Sequence, residues 1–306
     1  MSLFKNKFGV FITALFCCFL WGSAAPCIKL GYELLGIQTN DVGSILVFAG
    51  LRFALAGILV LIFGSIVQKK ILFPKKETIQ AVSVLALCQT LGQYYFYYMG
   101  LAYTSGVHGA IITGTGAFLS LLVASLIFRY ERLYMYKVLG CIMGFFGILI
   151  MNLNKGSGVS FSLFGDLFIF ISQIFCAFSA SFIKMYTQKY NAVYLSGYQF
   201  LMGGILLIIA GYSMTGISFH ANISGLLLLF YLAFVSACAY TLWGLLLQQN
   251  DISKIGIYNC LVPIVGVLLS SVMLKEDGFS MLIILSLVFV AFGIYFVTKK
   301  EEGVDV

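Results

Sequence analysis

The residues able to do chemistry in this chain are few, and most of them lie inside apolar runs. Gln89 and Gln93 are four apart, which places them on one face of a helix that Tyr97 continues. An amide among hydrocarbon is unfavourable unless it is bonded. These amides therefore either hydrogen-bond a polar solute or tie helices together, a contact worth ~0.6 kcal/mol. Tyr94 and Tyr97 are echoed in the second half by Tyr240 and Trp243. Rings with a polar tip suit an organic solute having apolar and polar parts; the alternative is an interfacial belt or core packing. Trp21, Thr115 and Gln173 complete the candidates drawn from neighbouring segments.

Among the ionisable groups, His108 is a candidate proton site near neutral pH. Its position close to a segment end gives it an interfacial alternative, and His220 falls in a loop. Arg52 lies deep in an apolar run, where a charge costs about 2.5–3.5 kcal/mol on insertion scales. No carboxylate lies at similar depth, so backbone carbonyls or tyrosine hydroxyls are its expected acceptors. Pro26 and Pro263 are expected helix breaks, and Gly114 and Gly116 are expected to loosen their segment. Asn259, Pro263, Gly266 and Ser270 share one face that either lines a cavity or permits close packing. Asp166, Asp251 and Glu276 sit near segment ends, which leaves little support for proton antiport through a mid-span carboxylate. No phosphate loop, HExxH motif or nucleophile–base arrangement occurs, so no enzyme activity, cofactor or metal is expected. The eight cysteines form no CxxC pair and read as small buried side chains.

The elements that must carry these residues follow from composition. Of 306 residues, 61% are hydrophobic and 9% charged, and mean hydropathy is +1.03. Soluble domains carry about 25% charged residues. Ten apolar runs are predicted as membrane helices: 8–30, 42–67, 78–100, 105–128, 133–152, 163–187, 193–213, 223–248, 253–274 and 279–298. Continuous hydrophobicity without alternation excludes a β-barrel. The first run ends in Trp21-Gly-Ser-Ala-Ala25, which mimics a signal peptide with its cleavage site. Pro26 directly after that site disfavours cleavage, so the run is retained as a span. With the N-terminus in the cytoplasm, fourteen Lys and Arg residues fall on the cytoplasmic side, against Lys29, Lys155 and Lys275 opposite. Both termini are therefore expected in the cytoplasm of a multi-pass plasma-membrane protein. The net charge of +7 is spread over loops rather than one face, which argues against nucleic acid as a partner.

An internal repeat runs through these spans. Arg52 to Gly64 aligns without a gap on Gln199 to Gly211, with Gly57 opposite Gly204 and Gly64 opposite Gly211. The Arg129-Tyr-Glu131-Arg turn falls opposite Lys275-Glu276-Asp, and Lys29 opposite Lys184. Five helices is an odd number, so the second copy must be inverted relative to the first. Inverted repeats place a substrate site where the halves meet.

Taken in order, these features resemble the drug/metabolite transporter superfamily, and specifically EamA-type transporters. The resemblance rests on Trp21-Gly-Ser through Lys29, Leu51-Arg-Phe, Gly100-Leu-Ala-Tyr-Thr-Ser105, the turns at Glu131 and Glu276, and Gly140, Gly144 and Gly147. It implies an all-α membrane protein with ten transmembrane helices as two inverted five-helix repeats, residues 1–155 and 156–306. It also implies export of small organic metabolites such as amino acids by alternating access. Two departures are Gln199 in the place of Arg52, and Pro263 where the first half reads Gly114-Thr-Gly116. The expected partners are a small-molecule substrate and the lipid bilayer; a functional monomer suits two repeats in one chain, with a homodimer as the alternative. A membrane sensor or enzyme using the same bundle without translocation is the competing reading.

Overall fold

Several helices in this chain begin where a short polar side chain satisfies the first orphaned backbone N–H groups. Asn6 accepts from the Phe8 amide, Asp41 from Ser44, Ser105 from His108, Ser162 from Gly165 and Asn222 from Gly225. The computed structural model describes residues 4, 6–130, 132–152, 162–215, 220, 222–250, 257–276 and 280–298. In chain order the α-helices are α1 (Lys7–Leu35), α2 (Val42–Val67), α3 (Ile79–Leu85), α4 (Tyr94–Tyr103), α5 (Gly106–Thr113), α6 (Thr115–Leu122) and α7 (Met135–Asn152). They continue with α8 (Leu163–Thr187), α9 (Ala192–Thr215), α10 (Ile223–Gln249), α11 (Leu261–Met273) and α12 (Met281–Thr298). No strand occurs among the described residues.

Among the described residues, six stretches are long and apolar enough to cross a membrane: Lys7–Leu35, Val42–Val67, Gly106–Ile127, Leu163–Thr187, Ala192–Met214 and Ile223–Leu246. At 1.5 Å per residue each exceeds a hydrocarbon core of about 30 Å. Met135–Gly147, Leu261–Met273 and Met281–Phe296 are shorter apolar helices. Ile79–Tyr103 is helical throughout, through a π-helical segment at Ala86–Gln93, but its glutamines and tyrosines lower its hydropathy. Outward-facing side chains such as Ile209, Leu227 and Val272 are 59%, 67% and 72% exposed. Apolar exposure repeated over so much surface suits lipid rather than water.

Two expectations about local structure change. Pro26 does not break its helix, since α1 runs helical from Lys7 to Leu35 with the proline inside. The carbonyl that Pro26 leaves unbonded, at Gly22, faces α11, where a methyl group on Gly266 would lie 3.5 Å away. Neighbouring helices tolerate membrane prolines in this way. Pro263 lies in the first turn of α11, where a missing N–H removes no helical bond. The segment 105–128 is divided at Gly114, which lies between α5 and α6. The expected start of the ninth span at 253, together with Asp251, Lys155, Glu131 and the 155/156 boundary, lies outside the described residues.

Packing is organised by a backbone-to-backbone seam between α2 and α9. A methyl group on Gly57 would sit 2.5 Å from the Leu201 nitrogen, and one on Gly211 2.5 Å from the Gly43 carbonyl oxygen. Gly204 presses in the same way on the Ala54 nitrogen, and Gly50 on Ile208. Small residues permit this approach where hydrophobic driving force is lacking. Elsewhere α7 lies on α12, α1 on α10 and α11, α8 on α4 and α6, α10 on α2, α9 on the π segment, and α11 on α5.

Candidate functional site

Where α1, α4, α5 and α11 converge they leave a narrow cleft lined by Trp21, Gly22, Ala25, Tyr97, Ala110, Thr113, Val262 and Gly266. It has room for about one water molecule. The aromatic side of the cleft extends into α10. The Trp21 ring lies 4.9 Å from Trp243 and 5.3 Å from Tyr240, both edge-on. The Tyr240 and Tyr94 hydroxyls bond each other, and the Tyr94 and Tyr97 rings are 6.3 Å apart. Edge-on pairs at such spacings are favourable.

Buried polar atoms without a partner mark where this cluster has hydrogen-bonding capacity to spare. Trp21 Nε1, a donor, and Gln93 Oε1, an acceptor, are both buried and unbonded. Such groups are normally satisfied. Beside them, Arg52 is fully buried, and its Nε donates to the Leu232 carbonyl at 3.1 Å and Ser236 Oγ at 3.0 Å. Its Nη1 donates to the Tyr98 hydroxyl at 2.9 Å. The guanidinium also lies 5.1 Å from the Phe53 ring and 6.0 Å from the Tyr94 ring, a cation–π arrangement. Its hydrogen-bond acceptors are a carbonyl and hydroxyls, and no carboxylate pairs with it. The cluster therefore keeps a positive charge.

The other residues singled out from sequence divide by position. Trp21 and Tyr97 line the cleft, and Tyr94, Tyr240, Trp243 and Gln93 surround it. Gln89 lies elsewhere, accepting from Gln199 Nε2 on α9. Thr115, at the start of α6, donates back to Ile112 O on α5. Gln173 donates to Ser172 Oγ, and its Oε1 packs against Gly116. Asn259 is half-buried in the 3-10 turn Ile257–Cys260. Ala110, Thr113 and Val262 were not singled out from sequence. Ala110 and Thr113 are three apart, the spacing of one helical face, but an alanine and a threonine in a glycine-rich stretch give no hydropathy signal.

A second polar constellation closes one end of the bundle. Lys29 Nζ donates to the Thr104 carbonyl at 2.6 Å and lies 3.9 Å from Glu276. Glu276 accepts from the Gly106 and Val107 amides at 2.9 and 2.8 Å, which caps the start of α5. Asp166, on α8, accepts from Thr104 Oγ1 and sits 3.2 Å from His108 Nδ1. Both members of this pair are buried, His108 at 2% and Asp166 at 7% exposure. Among the described residues no group of three or more His, Cys, Asp or Glu could hold a metal.

Closely packed apolar helices with an apolar exterior describe a multi-pass membrane protein. The sequence pattern of the EamA-like transporter family matches residues 8–153 and again 163–299, and the chain belongs to that family. It is 26% identical over 262 residues to the uncharacterized transporter YvbV of Bacillus subtilis (strain 168), covering 84% of each chain. It is 27% identical over 287 residues to an uncharacterized transporter of Archaeoglobus fulgidus, covering 92% of this chain and 95% of that one. A protein solved by crystallography has the same fold, with a TM-score of 0.66 at 17% identity over 92% of this chain and 95% of that one.

Proposed function

We propose that this chain is a secondary transporter of the plasma membrane. It exports small organic metabolites, amino acids among them, by alternating access through ten spans arranged as two inverted five-helix repeats. Both termini lie in the cytoplasm, and the Lys29 end of the bundle faces outward. The observation that carries this reading is the helix packing. Number the spans one to ten, counting α3 with α4 as the third and α5 with α6 as the fourth. Exchanging each span with the one five later turns the contact of spans one and eight into that of six and three. It likewise turns one and nine into six and four, and two and eight into seven and three, while two with seven, four with nine and five with ten map onto themselves. A bundle whose largest contacts correspond after its halves trade places can open to either side by equivalent motions. The two separate matches of the family pattern agree with halves meeting near residue 155.

The site favours a solute with a flat or apolar part and a polar group. Trp21, Tyr97 and Tyr240 supply ring faces, and Trp21 Nε1 and Gln93 Oε1 supply an unused donor and acceptor. The positive charge of Arg52 repels cations through a medium that screens poorly, so zwitterionic, neutral and anionic solutes are favoured over polyamines. Reconstituted protein should show counterflow of at least one labelled amino acid or small metabolite, reduced roughly tenfold or more by Trp21→Ala. Absence of flux across a broad panel of such solutes would sink the transport reading.

A further inference from the structure

Resting on that transport reading, we propose that His108 and Asp166 form a proton-binding latch: the pair takes up and releases a proton as its end of the bundle opens and closes. Two buried ionisable groups on different helices, α5 and α8, touch at 3.2 Å. Spans four and six belong to opposite halves, so the contact bridges the parts that must separate. Buried ionisable side chains in membrane helices are costly and usually functional, and histidine titrates closest to neutrality.

The surroundings of the pair decide what it can do. From α8 only Asp166 faces His108, and from the α4–α5 turn Thr104 donates to the same carboxylate. Lys29 of α1 and Glu276 after α11 are joined to each other and to this turn through Thr104 O and the Gly106 and Val107 amides. Glu33 and Tyr103 are exposed. Helices α6 and α12 bring no ionisable side chain to this end, and those of α7 (Tyr136, Lys137, Cys141) lie toward its other end. Glu276 and the exposed Glu33 flank Lys29, and the exposed Lys275 adjoins Glu276, so His108 and Asp166 are the buried ionisable contact among the described residues of this end. With neutral imidazole donating Nδ1–H to Asp166 the pair carries one negative charge. A proton taken from water onto Nε2 leaves that bond intact and makes the pair neutral overall. The neutral form suits the closed, buried state. Opening hydrates both side chains, removes that preference and releases the proton to the water at this end.

α5 also carries Ala110 and Thr113 into the cleft, which couples the latch to the solute site and offers a readout needing no solute. The chain has two tryptophans, and both Trp21 and Trp243 belong to the cleft cluster. Intrinsic fluorescence of the purified full-length protein, titrated from about pH 5 to 8, should show one transition with a Hill slope near ~1. His108→Gln should abolish it. Asp166→Asn, nearly isosteric, should alter the transition, because the imidazolium loses its counter-charge. Asp166→Glu should restore most of the change. A flat wild-type profile, or a His108→Gln profile that overlays the wild type, overturns the latch. The transition without flux for any solute would remove the transport reading and leave the latch standing. Flux that ignores pH, with flat fluorescence, would remove the latch alone.

Discussion

Arg52 on α2 and Gln199 on α9 occupy corresponding places on the same seam, and each reaches across to a neighbouring helix. Arg52 Nε donates to Ser236 Oγ on α10, and Gln199 Nε2 donates to the Gln89 side chain on the π segment. The partners correspond as well as the donors, since Ser236 follows Gln89 by the same interval that Gln199 follows Arg52. The same bridge is thus built twice from different side chains. In the first half a guanidinium also donates to Leu232 O and the Tyr98 hydroxyl. In the second half a neutral amide makes the bridge and leaves Gln199 Oε1 unbonded. The difference teaches that shape is duplicated while charge is not, and the positive field belongs to one half alone.

The sharpest way to break the comparison is to remove the seam that both bridges cross. Gly204→Val adds side-chain atoms where even a methyl meets the Ala54 and Gly50 backbone. Because neither helix can yield locally, recovery of monodisperse protein by size-exclusion chromatography should fall at least about tenfold, a loss of ~1.4 kcal/mol or more. Arg52→Gln, which makes the first half imitate the second, should come next. It leaves buried acceptors without donors, each costing about 1–3 kcal/mol, and should lower the thermal midpoint in detergent clearly. A double-mutant cycle of Gln89→Leu and Gln199→Leu should give a coupling of about 0.6 kcal/mol and no more than ~1.7. Ser236→Ala should have the smallest effect, about 0.5 kcal/mol, because Arg52 Nε keeps its bond to Leu232 O. A Ser236→Ala loss as large as that of Arg52→Gln would show that the bridge, not the charge, matters in the first half.

Helix identity was legible because lipid imposes a simple requirement: an apolar run of about 20 residues leaves a backbone little alternative to a helix. The glycine pairs Gly57/Gly204 and Gly64/Gly211 were visible too, since gapless registration survives in apolar sequence. The kinds of acceptor around Arg52 could be foreseen by elimination, although Ser236 and Leu232 could not be named. The pairing of His108 with Asp166 was hidden, because both look like segment-end residues and 58 positions separate them. Gln89 and Gln93 share a face on an ideal helix, but they separate here into a bridge to Gln199 and an unbonded acceptor. The π segment between Ala86 and Gln93 widens the helix and alters the angle between successive side chains, so spacing alone could not assign them to one place. The continuity of α1 through Pro26 was equally hidden, because it depends on how tightly α11 approaches through Gly266.

The glycine contacts between α2 and α9 also limit how the molecule can change shape. Helices sliding past one another do so by letting interleaved side chains switch rotamers, and along this line main chain meets main chain with little between to rearrange. Sliding along this line would drive main chain into main chain. Of all the helix pairs in the bundle, α2 and α9 are thus joined like the two halves of one shaft.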